Sequence, residues 1–222
     1  NEYSNLKILG NELFGEENSV IDIAWQNLDT IKNDAILFSK NHESILVWAK
    51  NITNLKIAGL MKGEKQRGYY KNRDNDKRGD YLLTPLHAKS GSENSKYKIT
   101  LSNGQVWEAP AGTYPRYSRE TLLSLDKDGR LYLDPEKKNV PQKKTYWTEV
   151  GDRMPPPSFW DYETFGSTRQ SNAEVSNLVG KGIFQNPKPL KLLKQIFDIS
   201  GIDDNDIVVD FFAGSATTGH GL

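Results

Sequence analysis

The chain has 222 residues, 36% of them hydrophobic and 10% aromatic, which suits one large domain or two small ones able to bury a core. No stretch approaches the roughly 18 to 20 apolar residues of a membrane span, and the start Asn-Glu-Tyr-Ser has neither a basic nor an apolar leader region. Zero cysteines exclude a disulfide framework and Cys-ligated metal sites, and the scattered His42, His87 and His220 argue against a His-based one, so a cytoplasmic protein without membrane attachment is expected.

Residues 2–13 place Leu6, Leu9 and Leu13 at helical spacing, and Gly15 stops the pattern. Ser19–Trp25 (SVIDIAW) alternates as a half-buried strand does, and residues 44–49 (SILVWA) read as a second, more buried strand. Residues 62–81 are rich in Gly, Lys and Asp without apolar periodicity, so a domain edge is expected there. YKITL (97–101) and QVWEAP (105–110) flank Ser102-Asn103-Gly104, and Asn-Gly favours a type I′ hairpin turn. Ser118 should cap a short helix with Glu120 in its first turn and Gly129 beyond its end, and RLYLD (130–134) reads as another strand. MPPPSFW (154–160) reads as a stiff linker. Leu190, Leu193 and Phe197, behind Pro189, predict an amphipathic helix over residues 190–197. Residues 206–212 (DIVVDFF) form a near-continuous apolar run, as in a parallel strand covered on both faces.

Charge is unevenly distributed although the net is zero. Residues 60–148 hold 18 Lys+Arg against 11 Asp+Glu, a balance of +7 that the remainder offsets. The same stretch carries Tyr69, Tyr70, Tyr81, Trp107, Tyr117 and Trp147 among other aromatics. Cations meet phosphates and rings stack or wedge between bases, so one reading is a nucleic-acid surface; the other is a solvated β-rich module. Charge alone does not separate them. On the first reading, Arg67, Arg73, Arg78, Arg116, Arg119 and Arg130 could reach phosphates or guanine edges.

Directly behind the apolar run lies Ala213-Gly214-Ser215-Ala216-Thr217-Thr218, which permits a tight turn and offers hydroxyls to cap a following helix. Strand, small-residue turn and helix let a nucleotide-like cofactor lie against backbone, although a turn that binds nothing has the same pattern. A P-loop is excluded because no Gly-Lys-Ser/Thr follows, and a dinucleotide fingerprint would need three glycines in the turn.

Residues 210–222 (DFFAGSATTGHGL) resemble the cofactor motif of DNA amino-methyltransferases, commonly Asp-x-Phe-x-Gly-Ser-Gly-Thr-Thr, with Ala216 in place of a frequent glycine. FQNPKPLKLLKQIF (184–197) resembles the helix that encloses the methionine end of the cofactor, and its position just before the turn motif is that of the permuted β class. Residues 1–20, NHESILVWAKN (41–51) and FWDYETFGSTRQSNAEVSNLVG (159–180) are similar, in the same order, to adenine-specific type III modification subunits.

The resemblance implies an α/β fold: part of a Rossmann-like methyltransferase sheet, with an inserted α+β target-recognition domain. The implied division is residues 1–59 and 151–222 for the catalytic part and 60–150 for target recognition. It implies S-adenosylmethionine as cofactor, near Lys188, Asp210, Phe212, Gly214, Ser215, Ala216, Thr217 and Thr218. It implies double-stranded DNA as substrate, with a restriction subunit and a second copy as partners. The family's catalytic Asp-Pro-Pro-Tyr is expected upstream, because Pro155-Pro156-Pro157 lacks both the preceding Asp, Asn or Ser and the following aromatic, and no residue here is assigned to catalysis. The acid that holds the cofactor ribose is expected downstream, which makes the chain a fragment expected to be inactive alone. A DNA-binding module without transferase activity is the alternative reading of the same residues.

Overall fold

The computed structural model describes residues 2–134, 136 and 138–222. In chain order the first elements are α1 (Tyr3–Phe14), β1 (Ser19–Trp25), β2 (Glu43–Trp48), β3 (Leu60–Met61), α2 (Glu64–Arg67), β4 (Tyr81–Pro85), β5 (His87–Ala88), β6 (Ile99–Thr100) and β7 (Val106–Trp107). There follow β8 (Tyr114–Pro115), α3 (Arg119–Lys127), β9 (Leu131–Tyr132), β10 (Gln142–Tyr146), β11 (Arg153–Met154) and β12 (Phe159–Trp160). The last are the helices α4 (Tyr162–Phe165), α5 (Thr168–Val179), α6 (Leu190–Ser200) and α7 (Thr217–Gly221). The chain forms two compact units, one from the residues up to Met61 with Arg153–Leu222, the other Lys62–Asp152. No helix among the described residues is long and apolar enough to cross a membrane.

In the first unit β1 is the middle strand of a mixed sheet, antiparallel to β2 (Ile23 opposite Ile45) and parallel to β12 (Trp25 opposite Trp160). Its inward side chains Ile23 and Trp25 meet Leu60, Trp160, Phe165, Leu192 and Ile199 in one core, and the Trp160 and Phe165 rings stack at 4.2 Å. The prolines at 155–157 therefore join two short strands of this unit, β11 paired with β3 and β12 paired with β1, where the sequence reads as a linker. Helix α1 turns Leu6, Leu9 and Leu13 to solvent and meets the sheet through Gly10, whose missing side chain makes room for the Trp48 ring.

Helix α6 is apolar on two faces. Leu192 and Ile199 enter the core with Ile196 beside them, whereas the stripe singled out by spacing, Leu190, Leu193 and Phe197, lies against Gly221 of α7. Residues 206–212 depart from expectation. No strand among the described residues pairs with them, although the outer edges of β2 and β12 are open. A strand exists only through its partners, so the run stays unpaired, with Ile207, Phe211 and Phe212 about nine-tenths exposed.

The second unit has its own core of Leu86, Ile99, Leu101, Trp107, Ala109, Leu122 and Leu131. Its largest sheet is antiparallel, in the order β4, β10, β9. The β6–β7 hairpin forms, but its turn is not type I′. Gly104 is left-handed (φ 78°), Asn103 is not, and Gly104 N donates to Leu101 O, so Ser102 and Asn103 are the central residues and Gly104 follows as the bulge. Ser118 Oγ accepts from Thr121 N to cap α3, with Glu120 in its first turn and left-handed Gly129 beyond its end.

Candidate functional site

Residues 187–190 are fixed from three sides. Ser167 and Gln170 form the capping box that starts α5. One turn later the buried Ser171 donates its Oγ–H to Pro187 O at 2.6 Å, and Glu174 accepts from Leu190 N. Gly166 (φ 84°) has to be glycine, because a Cβ there would lie 2.7 Å from Pro189 Cβ. Lys188 Nζ donates to Glu43 Oε2 of β2 at 2.5 Å and sits 5.4 Å from the Trp25 ring centre, while Trp25 Nε1 donates to Gly166 O. Ser171, Glu43 and Trp25 thus aim Lys188. Sequence reasoning passed over them, since each is far along the chain from the lysine and none belongs to a motif.

The turn after residue 209 is organised by Asp210. Its Oδ1 accepts from Phe212 N at 2.9 Å and its Oδ2 from Thr218 Oγ1 at 2.7 Å, closing a loop eight residues long. The Thr218 hydroxyl first, then the Phe212 amide, hold this carboxyl below its usual pKa range. Gly214 (φ 53°) and Ala216 (φ 57°) both take the left-handed conformation, so Ala216 keeps the turn at a strain that glycine would avoid. The hydroxyls do not cap α7: Ser215 and Thr217 bond to each other at 2.8 Å, Thr218 goes to Asp210, and the N-cap is Ala216.

Between these two segments lies a cavity of about 300 Å³. Asn186, Pro187 and Lys188 line one side, and Asp210, Phe212, Gly214, Ser215, Thr217 and Thr218 the other. Ala216 shapes the turn without lining the space. Phe212 is 91% exposed and packs into no core.

The six arginines singled out from the basic stretch differ in what they can do. Arg67 is paired with Asp80 at 2.6 Å and lies over the Trp147 ring. Arg78 bonds Asp76 and Asp128, Arg130 bonds Asp128 and makes a two-pronged contact with Glu149, and both lie over Tyr146. Glu149 is held below its ordinary pKa range chiefly by Arg130. These three fasten the second unit together. Arg73 lies over the Tyr81 ring, and Arg116 donates its Nε–H to His87 O. Arg116 and Arg119 are exposed and enter no ion pair among the described residues. The Arg78–Asp128 and Arg130–Glu149 contacts span 50 and 19 residues, beyond the reach of local spacing.

A DNA methylase family model matches residues 1–221. The chain is 33% identical to the Mod subunit of the type III restriction-modification enzyme StyLTI of Salmonella typhimurium, over 100% of this chain and 33% of that protein. It is 24% identical to the EcoP15I Mod subunit of Escherichia coli, over 99% of this chain and 38% of that protein. It is 26% identical to the type II methyltransferase M.KpnI of Klebsiella pneumoniae, over 99% and 55%. The chain thus spans about a third of the length of the type III relatives and about half of the type II one. With a family model covering it nearly end to end, this chain belongs to the DNA methylase family.

Proposed function

We propose that this chain is part of the modification subunit of a type III restriction-modification system, a DNA methyltransferase acting on adenine, with S-adenosylmethionine held in the cavity between residues 184–188 and 210–218. The carrying observation is that one cavity brings both segments together. Its volume is at the lower end of the roughly 300 to 1,000 Å³ of small-molecule sites, and its walls mix an ammonium, a carboxylate, hydroxyls and an apolar ring, a donor set that fits a zwitterionic nucleoside. Lys188 and residues 214–218 would hold the cofactor. When bound it supplies a methyl group on a sulfonium that leaves without acid assistance, so the protein's contribution is placement. Toward that end Glu43 and Trp25 fix the ammonium of Lys188, and Asp210 fixes the turn.

On this reading the first unit belongs to a Rossmann-like catalytic sheet, and residues 62–152 recognise double-stranded DNA. A restriction subunit and a second copy of the chain are the protein partners. The 222 residues contain no Asp-Pro-Pro-aromatic sequence, so the chain by itself is expected to transfer no methyl group. Labelled S-adenosylmethionine with mixed-sequence DNA tests this, and incorporation above a heat-killed control would contradict it. The cofactor site is tested by titrating isotopically labelled protein to millimolar S-adenosylmethionine. Amide shifts should cluster in residues 184–188 and 210–218, and shifts confined to residues 62–152, or none, would refute the assignment.

A further inference from the structure

The segment joining β1 to β2 carries an apolar tip that the fold leaves in solvent. Ile36, Leu37 and Phe38 are 96, 85 and 92% exposed. Single exposed apolar residues are ordinary, but three adjacent large ones this bare mark a surface that meets something. The tip stands on a stitched neck: Leu28 N donates to Asn41 O, Lys32 N to Ser39 Oγ at 2.8 Å, and Ala35 N to Lys32 O. Lys32 and Lys40 bracket it, and of the two carboxylates in this segment Asp29 is neutralised by Arg169 at 3.1 Å, leaving Asp34.

Behind the neck lies a hollow of about 380 Å³ walled in part by Asn27, Lys32, Lys40, His42 and Thr168. Asn27 donates its Nδ2–H to Glu43 Oε1 at 2.8 Å, while its Oδ1 is buried without a partner. A buried acceptor left open carries a cost unless a donor arrives. Asn186 lines this hollow and also the cavity assigned to the cofactor. Two of the other exposed apolar surfaces of the unit have the wrong electrostatics for a polyanion, whereas those at residues 52–57 and 178–183, which do lie beside lysines, have no three adjacent large apolar side chains as bare as these. Ile207, Val209, Phe211 and Phe212 are interspersed with Asp206 and Asp210, with no lysine or arginine from residue 202 onward, and α1 is flanked by Glu2, Glu16 and Glu17.

We propose that residues 36–38 are a wedge that inserts between base pairs of duplex DNA, with Lys32 and Lys40 resting on the flanking phosphates and the hollow beside Asn27 open to an extruded base. Side chains of this kind unstack a base step when driven into it, and a base must leave the stack before its exocyclic nitrogen can be reached. The inference rests on the DNA reading above and deepens it.

The test uses the 222-residue chain and mixed-sequence duplexes carrying 2-aminopurine, whose fluorescence rises on unstacking. The wild-type chain should raise the signal. The triple variant I36S/L37S/F38S should abolish the rise and weaken binding roughly tenfold, the size of losing one base-stacking contact. Its circular dichroism and Tm should be unchanged, because the three side chains are almost wholly exposed. K32A/K40A should flatten the log-log salt dependence by about 1.8. Salt-sensitive DNA binding with an undiminished fluorescence rise in the triple variant would overturn the wedge and leave the DNA reading intact. Loss of self-association without any change in DNA binding would make the tip a protein interface and also overturn it. Failure of the wild-type chain to bind DNA at low salt would remove both.

Discussion

Lys144 and Asp76 form a buried ion pair within the Lys62–Asp152 unit, Nζ to Oδ2 at 2.9 Å, with only 5 and 9% of their side chains exposed. Lys144 on β10 also pairs with Asp74, Tyr146 OH donates to Asp76 at 2.6 Å, Tyr81 OH donates to Asp74 at 2.9 Å, and Arg78 makes three bonds to Asp76, two from its guanidinium and one from its backbone N–H. The loop at residues 72–80 is thereby fastened to β4 and β10. Removing Asp76 would take away the anion that Lys144 and Arg78 share and leave each with one weaker-placed carboxylate, Asp74 and Asp128.

Asp76→Asn should therefore destabilise the second unit by about 1 to 3 kcal/mol, since Lys144 and Arg78 lose their shared anion and keep only Asp74 and Asp128 respectively. Lys144→Met should cost less, because Arg78 still neutralises Asp76. Chemical denaturation of the two variants decides it. An Asp76→Asn cost below about 1 kcal/mol would mean that the network contributes little.

The same pair gives the unit an acid limit. The Asp76 carboxyl is held well below its usual range, first by its bonds from Arg78 and then by Tyr146 and Lys144, which outweigh burial. A depressed folded pKa contributes stability that is fully present above the unfolded carboxylate value of about 3.9 and is lost as pH falls through the folded value. Stability should drop below about pH 4 in the wild type and fall less in Asp76→Asn. Parallel acid-titration curves for the two proteins would refute the assignment.

Gly10 offers a test of the first unit. Alanine in place of glycine inside a helix ordinarily stabilises by about 1 kcal/mol. Here a Cβ would sit 2.3 Å from Cζ2 of Trp48, and that indole is pinned by its own bond to Asn11 Oδ1 at 3.0 Å. Overpacking of this kind costs about 1 to 3 kcal/mol, so the clash should win and Gly10→Ala should lower Tm. A rise in Tm would show that Trp48 moves aside freely.

What the sequence made legible was local. The helix capped by Ser118 and the strand Ser19–Trp25 are written in spacing and caps, and structure and pattern agree there. Residues 206–212 were misread because an apolar run specifies burial without naming what buries it, and no strand among the described residues flanks them. Asn-Gly at 103–104 signals a tight turn, but the bond from Gly104 N to Leu101 O decides which residues are central. Of the residues that line the candidate site, the sequence singles out Lys188, Asp210, Phe212, Gly214, Ser215, Thr217 and Thr218. The site's supports Glu43, Trp25 and Ser171 come from distant positions that only packing brings to Lys188.

The arginines decide how the second unit would meet DNA. Arg116 and Arg119 keep their charge exposed, whereas Arg78 and Arg130 spend theirs on Asp76, Asp128 and Glu149. If the exposed pair neutralises phosphates, each contact releases condensed counterions with a log-log slope of about −0.9 on duplex DNA. R116A/R119A should then bind more weakly and flatten the salt dependence by about 1.8, with an unchanged Tm. R78A and R130A should act the other way, lowering Tm because Asp76 and Asp128 each lose one of their cations and, in R130A, Glu149 loses its partner, while leaving the slope of the folded protein alone. K191A/K194A on α6 should alter neither binding nor slope much, since Lys191 already bonds Glu163 O. Mobility shifts at several salt concentrations, alongside thermal melts of each variant, separate these outcomes. A slope unchanged in R116A/R119A would move the DNA contact away from that pair.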